Sequence, residues 1–266
     1  MLLPSKITII LALTLSFYSC STSSKKSSEL AKADLFYSEG TKLLGEKNYR
    51  EALDKLLTAS QLDPSNPDIH NNLGMTYYFL NKEEDAINHF KTAAELDPKY
   101  TRALSNLATI YQTQKKYTEA LKIHNQALKD LIFNERYRTY YNMALIYFQT
   151  EEPLEAIKYL TLSLRENEYY CPANFKMGEW EEKKMSYDKA LDFYLKASNG
   201  TCYQEPAPIY QQGLMLMKLR RYESAISKFD NVIGRFTDSK YSTLASLRKR
   251  EILATANNNL NQAPSF

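Results

Sequence analysis

The sequence predicts an all-α solenoid of about six helix pairs followed by a capping helix, and three observations carry that prediction. Alanines recur at Ala52, Ala86, Ala120, Ala156, Ala190 and Ala225, in steps of 34, 34, 36, 34 and 35 residues. Twelve residues before each of them stands a small residue: Gly40, Gly74, Ala108, Ala144, Gly178 and Gly213. Three residues before the alanine stands a tyrosine in four units, at Tyr49, Tyr117, Tyr187 and Tyr222. Self-similarity at this period marks an array in which each unit buries its apolar face only against its neighbours.

The second unit, counted from Pro67, shows what each position does. Leu73 and Tyr77 form an apolar stripe at i, i+4 on a first helix, and Gly74 at position eight lets a second helix approach closely. Ala86, Phe90 and Ala93 form the answering stripe at positions 20, 24 and 27. Asp97-Pro98 ends the second helix, because proline disfavours helix at the residue before it. In the fourth unit Pro153 suits a first helical turn, where its missing N–H has no partner to lose. Units three to six lack the closing proline, and the fourth starts two residues late. These spacings resemble the tetratricopeptide repeat, and the resemblance implies a right-handed superhelix. Six repeats fill residues 33–239. Residues 240–257 have helical composition and no partner helix, so they read as a cap over the last apolar face. Residues 258–266 form a polar tail.

The N-terminus carries a second signal. Residues 1–19 hold one charge, Lys6, ahead of an apolar run from Ile7 to Tyr18. Twelve helical residues span about 18 Å, too short for a hydrocarbon core of about 30 Å, so a secretory signal fits better than a membrane span. Ser19-Cys20 resembles the lipobox of bacterial lipoproteins, with Cys20 the acylated first residue, although Phe17 and Tyr18 are bulkier than that motif's usual residues. The alternative is an ordinary cleaved signal with an incidental cysteine. Residues 20–32, rich in Ser and Lys, read as a flexible tether. Ser21 in place of aspartate resembles sorting to the outer membrane, facing the periplasm.

Composition narrows the partners. The net charge of +3 falls to +2 without Lys6, and the charges are interleaved; with no long basic run, nucleic acid is not the expected ligand. Cys171 and Cys202 fall at positions 1 and 32 of the fifth unit, the same end of one helix hairpin. A disulfide is geometrically allowed there, and two independent buried cysteines are the alternative. His70, His89 and His124 form no HxxxH or HExxH pair, so no metal site is expected. His124 stands where the repeat places an aromatic residue and reads as a packing residue. The run from Gly40 to Lys47 misses a phosphate loop because Glu46 interrupts the Gly-Lys pair, and Asn199-Gly200-Thr201 reads as a helix-terminating turn. No catalytic constellation, cofactor or small-molecule substrate is expected.

In tetratricopeptide arrays the concave surface is lined by positions 2, 5, 9, 12 and 13 of the first helices. Carried onto this chain, the resemblance implies a peptide-binding groove of Asn71, Tyr78, Phe79, Arg102, Arg138, Tyr141, Phe148, Phe175, Tyr210 and Leu214, with Gln112, Glu179 and Met217 beside them. Tyr and Phe suit such a surface because they supply contact area at low entropic cost. Six repeats behind a lipoprotein signal, with a cysteine pair spanning one repeat, resemble the type IV pilus biogenesis lipoproteins of the PilF/PilW kind. That resemblance implies a lipid-anchored scaffold for envelope proteins that assists assembly or localisation of a secretin subunit. The competing expectation is a general envelope adaptor that recruits peptidoglycan hydrolases or outer-membrane assembly factors.

Overall fold

The computed structural model describes residues 6–129 and 134–261, with side chains over 26–129 and 134–255. Among the described residues the secondary structure is helical: α1 (Lys6–Gly45), α2 (Tyr49–Leu62), α3 (Pro67–Phe79), α4 (Glu83–Leu96), α5 (Thr101–Thr113), α6 (Tyr117–Ala127), α7 (Arg136–Gln149), α8 (Pro153–Glu166), α9 (Cys171–Lys183), α10 (Tyr187–Asn199), α11 (Pro206–Lys218), α12 (Tyr222–Arg235) and α13 (Lys240–Asn261). Consecutive helices pack as hairpins, α1 with α2 through α11 with α12. The chain divides into two compact units, residues 1–133 with three pairs and residues 134–266 with three pairs and α13.

Sequence chemistry explains the helix boundaries. Asn66 caps α3 by accepting the Asp68 N–H at 2.9 Å, and Pro67 opens the helix. Pro153 and Pro206 open α8 and α11 in the same way. Asp63, Asp97 and Asn167 follow the ends of α2, α4 and α8, and each side chain accepts an N–H two residues on, as at Lys99 (2.9 Å). These Asx turns lead the chain into the next pair.

The repeated alanines are the places where helices touch. Ala52, Ala86, Ala120, Ala156, Ala190 and Ala225 are all fully buried. In the first unit, Leu56 and Ala59 of α2 pack on Ile69 and Leu73 of α3, and Phe90 and Ala93 of α4 pack on Ala103, Leu107 and Ile110 of α5. In the second, Ala144 and Leu160 pack on Ala173 and Met177, and Tyr194 packs on Met215. The last core joins α11, α12 and α13 through Tyr210, Phe229, Val232, Ala245 and Ile252.

At the N-terminal end α1 runs from Lys6 to Gly45, through residues 20–32, which were expected to form a tether. Ala33 is 1% exposed, and a helix held by packing at one end propagates cheaply through helix formers such as Glu29, Leu30, Ala31 and Lys32. At the other end α13 continues to Asn261, past the expected boundary at 257. The side chain of Cys20, the signal segment 1–19 and the polar tail 258–266 lie outside the residues described with side chains. Among the described residues no helix is long and apolar enough to cross a membrane.

Candidate functional site

Within each unit, the first helices of successive pairs leave a cavity between them. In the first unit, a cavity of about 130 Å³ lies between α3 and α5, lined by Met75, Tyr78, Phe79, Asn106, Thr109 and Ile110, with Phe90 of α4 beneath. Phe79 is 45% exposed and stacks on Tyr49 at 4.9 Å, so one apolar ring stands at the mouth. Behind it runs a ladder of amides. Asn106 donates to Asn71 Oδ1 at 3.0 Å, Asn71 donates to Asn72 Oδ1 at 3.2 Å, and Asn72 donates to Thr41 Oγ1 at 2.8 Å. Linked amides polarise one another, which strengthens the acceptor at the Asn106 end.

In the second unit, a cavity of about 360 Å³ lies between α7 and α9, lined by Leu145, Phe148, Gln149, Lys176, Glu179, Trp180 and Lys183. The Phe148 and Trp180 rings sit 6.5 Å apart. Lys176 is tied to Glu179 at 2.8 Å, whereas Lys183 is exposed. Tyr141 packs edge-on against Tyr170 at 5.6 Å. Burial holds both phenols above their ordinary value, Tyr170 up to about 12, so each keeps its O–H as a donor at neutral pH.

Of the groove residues expected from sequence, Tyr78 and Phe79 line the first cavity and Phe148 lines the second. Arg102 and Arg138 are exposed and paired with Asp68 (3.6 Å) and Glu135 (3.4 Å). Such surface pairs contribute about 0–1 kcal/mol and leave both cations open to a ligand. Phe175 rests on Tyr194 at 5.3 Å, and Leu214 packs partly into two cores. Two expectations fail as surface. Asn71 is 3% exposed because the amide ladder uses it. Tyr210 is 6% exposed because it sits between Phe229 and Tyr241, where α13 closes over α11. Sequence reasoning passed over Met75, Asn106, Thr109, Leu145, Gln149, Lys176, Trp180 and Lys183; of these Met75, Thr109 and Leu145 at position nine and Gln149 and Lys183 at position thirteen carried a positional signal.

The cysteine pair is bonded. Cys171 opens α9 and Cys202 follows α10, with Cα atoms 5.6 Å apart. Closing a loop of this length stabilises by about 3–4 kcal/mol in the chain-entropy model. The turn that allows it depends on Gly200, because a Cβ there would lie 1.9 Å from the Tyr169 carbonyl oxygen. Thr201 Oγ1 accepts the Cys171 N–H at 3.3 Å.

Tetratricopeptide-repeat models match residues 67–131 and 99–165, and a further one matches residues 46–81. The chain carries tetratricopeptide repeats over residues 46–165, and it resembles type IV pilus biogenesis factors. A curated relative, type IV pilus assembly protein PilF of Pseudomonas aeruginosa, is 26% identical over 161 residues, which are 60% of this chain and 64% of the relative's length. Among solved structures, Pseudomonas aeruginosa PilF superposes with a TM-score of 0.68 at 23% identity, covering 86% of this chain and 99% of that one. PilW, described as a widely conserved type IV pilus biogenesis factor, superposes with a TM-score of 0.64 at 16% identity, covering 79% and 96%. At these identities the superpositions establish the shared fold of helix pairs.

Proposed function

We propose that this chain is a protein-interaction scaffold of the bacterial envelope that acts in type IV pilus biogenesis. The observation that carries this reading is the pairing of a PilF-like array of six helix pairs with ring-lined cavities on its first helices. A segment of a secretin subunit is the proposed occupant, held against Tyr78 and Phe79 in one unit and against Phe148 and Trp180 in the other. Each cavity offers apolar walls with a few fixed polar groups, the arrangement that gives a peptide contact area together with orientation.

Anchoring belongs to the same proposal. Acylated Cys20 would hold the array at the outer membrane, facing the periplasm, since dual acylation gives stable attachment where one chain is marginal. The bonded Cys171–Cys202 pair supports an oxidising compartment, because disulfides persist there and are rare in the cytosol.

Site-specific photo-crosslinking in living cells tests the reading, with the probe at Phe79 in one strain and at Lys183 in another. Capture of a secretin subunit is the expected result. Capture of peptidoglycan hydrolases or outer-membrane assembly factors, with no secretin, would replace it with a general envelope adaptor. For the anchor, Cys20→Ala should move the protein to the soluble fraction, and persistent membrane attachment would overturn that part.

A further inference from the structure

Nineteen residues separate His70 from His89 in sequence, yet the hairpin of α3 and α4 brings their rings together. The two Nδ1 atoms lie 3.1 Å apart, and His70 Nε2 lies 3.0 Å from the Pro64 carbonyl oxygen. The second contact fixes the tautomer. A carbonyl only accepts, so His70 carries its proton on Nε2 and presents an Nδ1 lone pair to His89. The His89 ring is held by stacking on Tyr77 at 5.2 Å and 9°. Both rings are half-buried and reachable from solvent.

We propose that His70 and His89 form a site for one borderline divalent cation, such as Zn(II) or Cu(II), that links α3 to α4 of the second pair. Two features carry it. Two imidazole nitrogens each about 2.0–2.1 Å from one ion stand about 2.9 Å apart at a right angle and about 3.3 Å apart at the tetrahedral angle. The observed 3.1 Å falls between these limits. Next, a histidine that donates its second nitrogen to a backbone carbonyl has the supporting contact that metal-ligating histidines almost always show, and His70 makes it to Pro64.

The ring centroids are 5.4 Å apart, so the two Nδ1 atoms meet nearly head-on, with the neutral His89 Nδ1–H donating to the His70 Nδ1 lone pair. On metal binding that proton passes through solvent to His89 Nε2, so both imidazoles stay neutral, and each ring turns about its χ2 to aim at the ion. Among the described residues no third His, Cys, Asp or Glu completes a cage. The remaining coordination positions are therefore open to water or to a donor atom from a bound protein. Imidazole ligands with open positions suit Zn(II) and Cu(II) over Mg(II) or Ca(II), which require oxygen ligands.

The test is calorimetric titration of the full, disulfide-bonded chain with Zn(II) and with Cu(II), in parallel with His70→Gln, His89→Gln and the double variant. One ion per chain is expected, with at least a tenfold loss of affinity in either single variant. Histidine ¹⁵N spectra should show both Nδ1 resonances shifting together on addition of Zn(II). Equal affinity in the wild type and the double variant would overturn the site, as would Nδ1 resonances that stay fixed while metal binds elsewhere. Circular dichroism separates a lost site from a lost fold, and a single variant that keeps its helicity and full affinity also overturns the proposal.

Discussion

At the scale of single residues, one contact recurs in pair after pair: position eight of the first helix against position 24 of the second. A Cβ built on Gly40, Gly74, Gly178 or Gly213 would lie 2.7, 2.7, 2.6 and 2.4 Å from Leu56, Phe90, Tyr194 and Phe229. Where position eight is alanine the partner position holds no Phe or Tyr: His124 follows Ala108 by sixteen residues, as Leu160 follows Ala144. Gly74→Ala should therefore destabilise by about 1–3 kcal/mol through overpacking, read as a lower urea midpoint. Adding Phe90→Leu should recover part of that loss by copying the fourth pair. His124 supplies a pH-dependent counterpart. It is 0% exposed and neither ring nitrogen has a partner, and burial pushes its pKa down to about 4 from 6.5. Above pH 6.5 both the folded and unfolded states hold it neutral. Between pH 6.5 and 4 only the unfolded state takes up a proton, so stability falls with pH by about 3 kcal/mol in total. His124→Leu should flatten that slope in chemical denaturation at pH 7 and pH 5. Lowered His89 has the same sign and should leave a smaller residual slope. An unchanged slope would mean that His124 is reached by solvent in the folded state.

At the scale of elements, the turn between the two helices of every pair is built the same way from dissimilar residues. Lys47, Asn81, Lys115, Glu151, Met185 and Arg220 all adopt φ between 58° and 64°, each at position 15 of its repeat. Each turn closes with two backbone bonds, as where Lys82 N–H donates to Tyr77 O and Asn81 N–H to Tyr78 O at 2.9 and 3.0 Å. This is the Schellman ending, and it satisfies the last carbonyls of the first helix. The left-handed conformation costs a residue with a Cβ about 1–2 kcal/mol. Met185 is 75% exposed, so its side chain returns little packing. Met185→Gly should stabilise by about 0.5–1 kcal/mol, because relief of that strain outweighs the greater entropy glycine loses on folding. A lower melting temperature in this variant would show that the Met185 side chain matters to the turn. Nothing in the sequence marked these six positions. Lys, Asn, Glu, Met and Arg share no side-chain chemistry, and the backbone alone sets the conformation.

At the scale of the whole molecule, what was legible and what was not follow one rule. Contacts that recur with the period, such as Phe90 against Gly74 or Tyr194 against Gly178, could be read because each repeat restates a small residue at position eight. Features made once could not. The meeting of His70 with His89 depends on side chains that one repeat alone carries, the amide ladder needs Asn71 beside the Asn72 and Asn106 of successive repeats, and the burial of Tyr210 needs α13 over it. Tyr210 is the instructive failure, because its position faces a groove in an interior repeat and a lid in the last one. That lid is α13, which places Ala245 (0% exposed) and Ile252 (5%) on Ile209, Tyr210, Phe229 and Val232. In a nearest-neighbour array the terminal pair has packing on one side only, so the cap sets its stability. Ile252→Ala should cost about 2–5 kcal/mol locally through lost burial and a residual cavity. Hydrogen exchange should speed up most in α11 and α12 and progressively less in α10 and α9, where Cys171–Cys202 holds the fifth pair. A uniform rise from α7 to α12 would show instead that these three pairs unfold as one cooperative body and that α13 caps all of them at once.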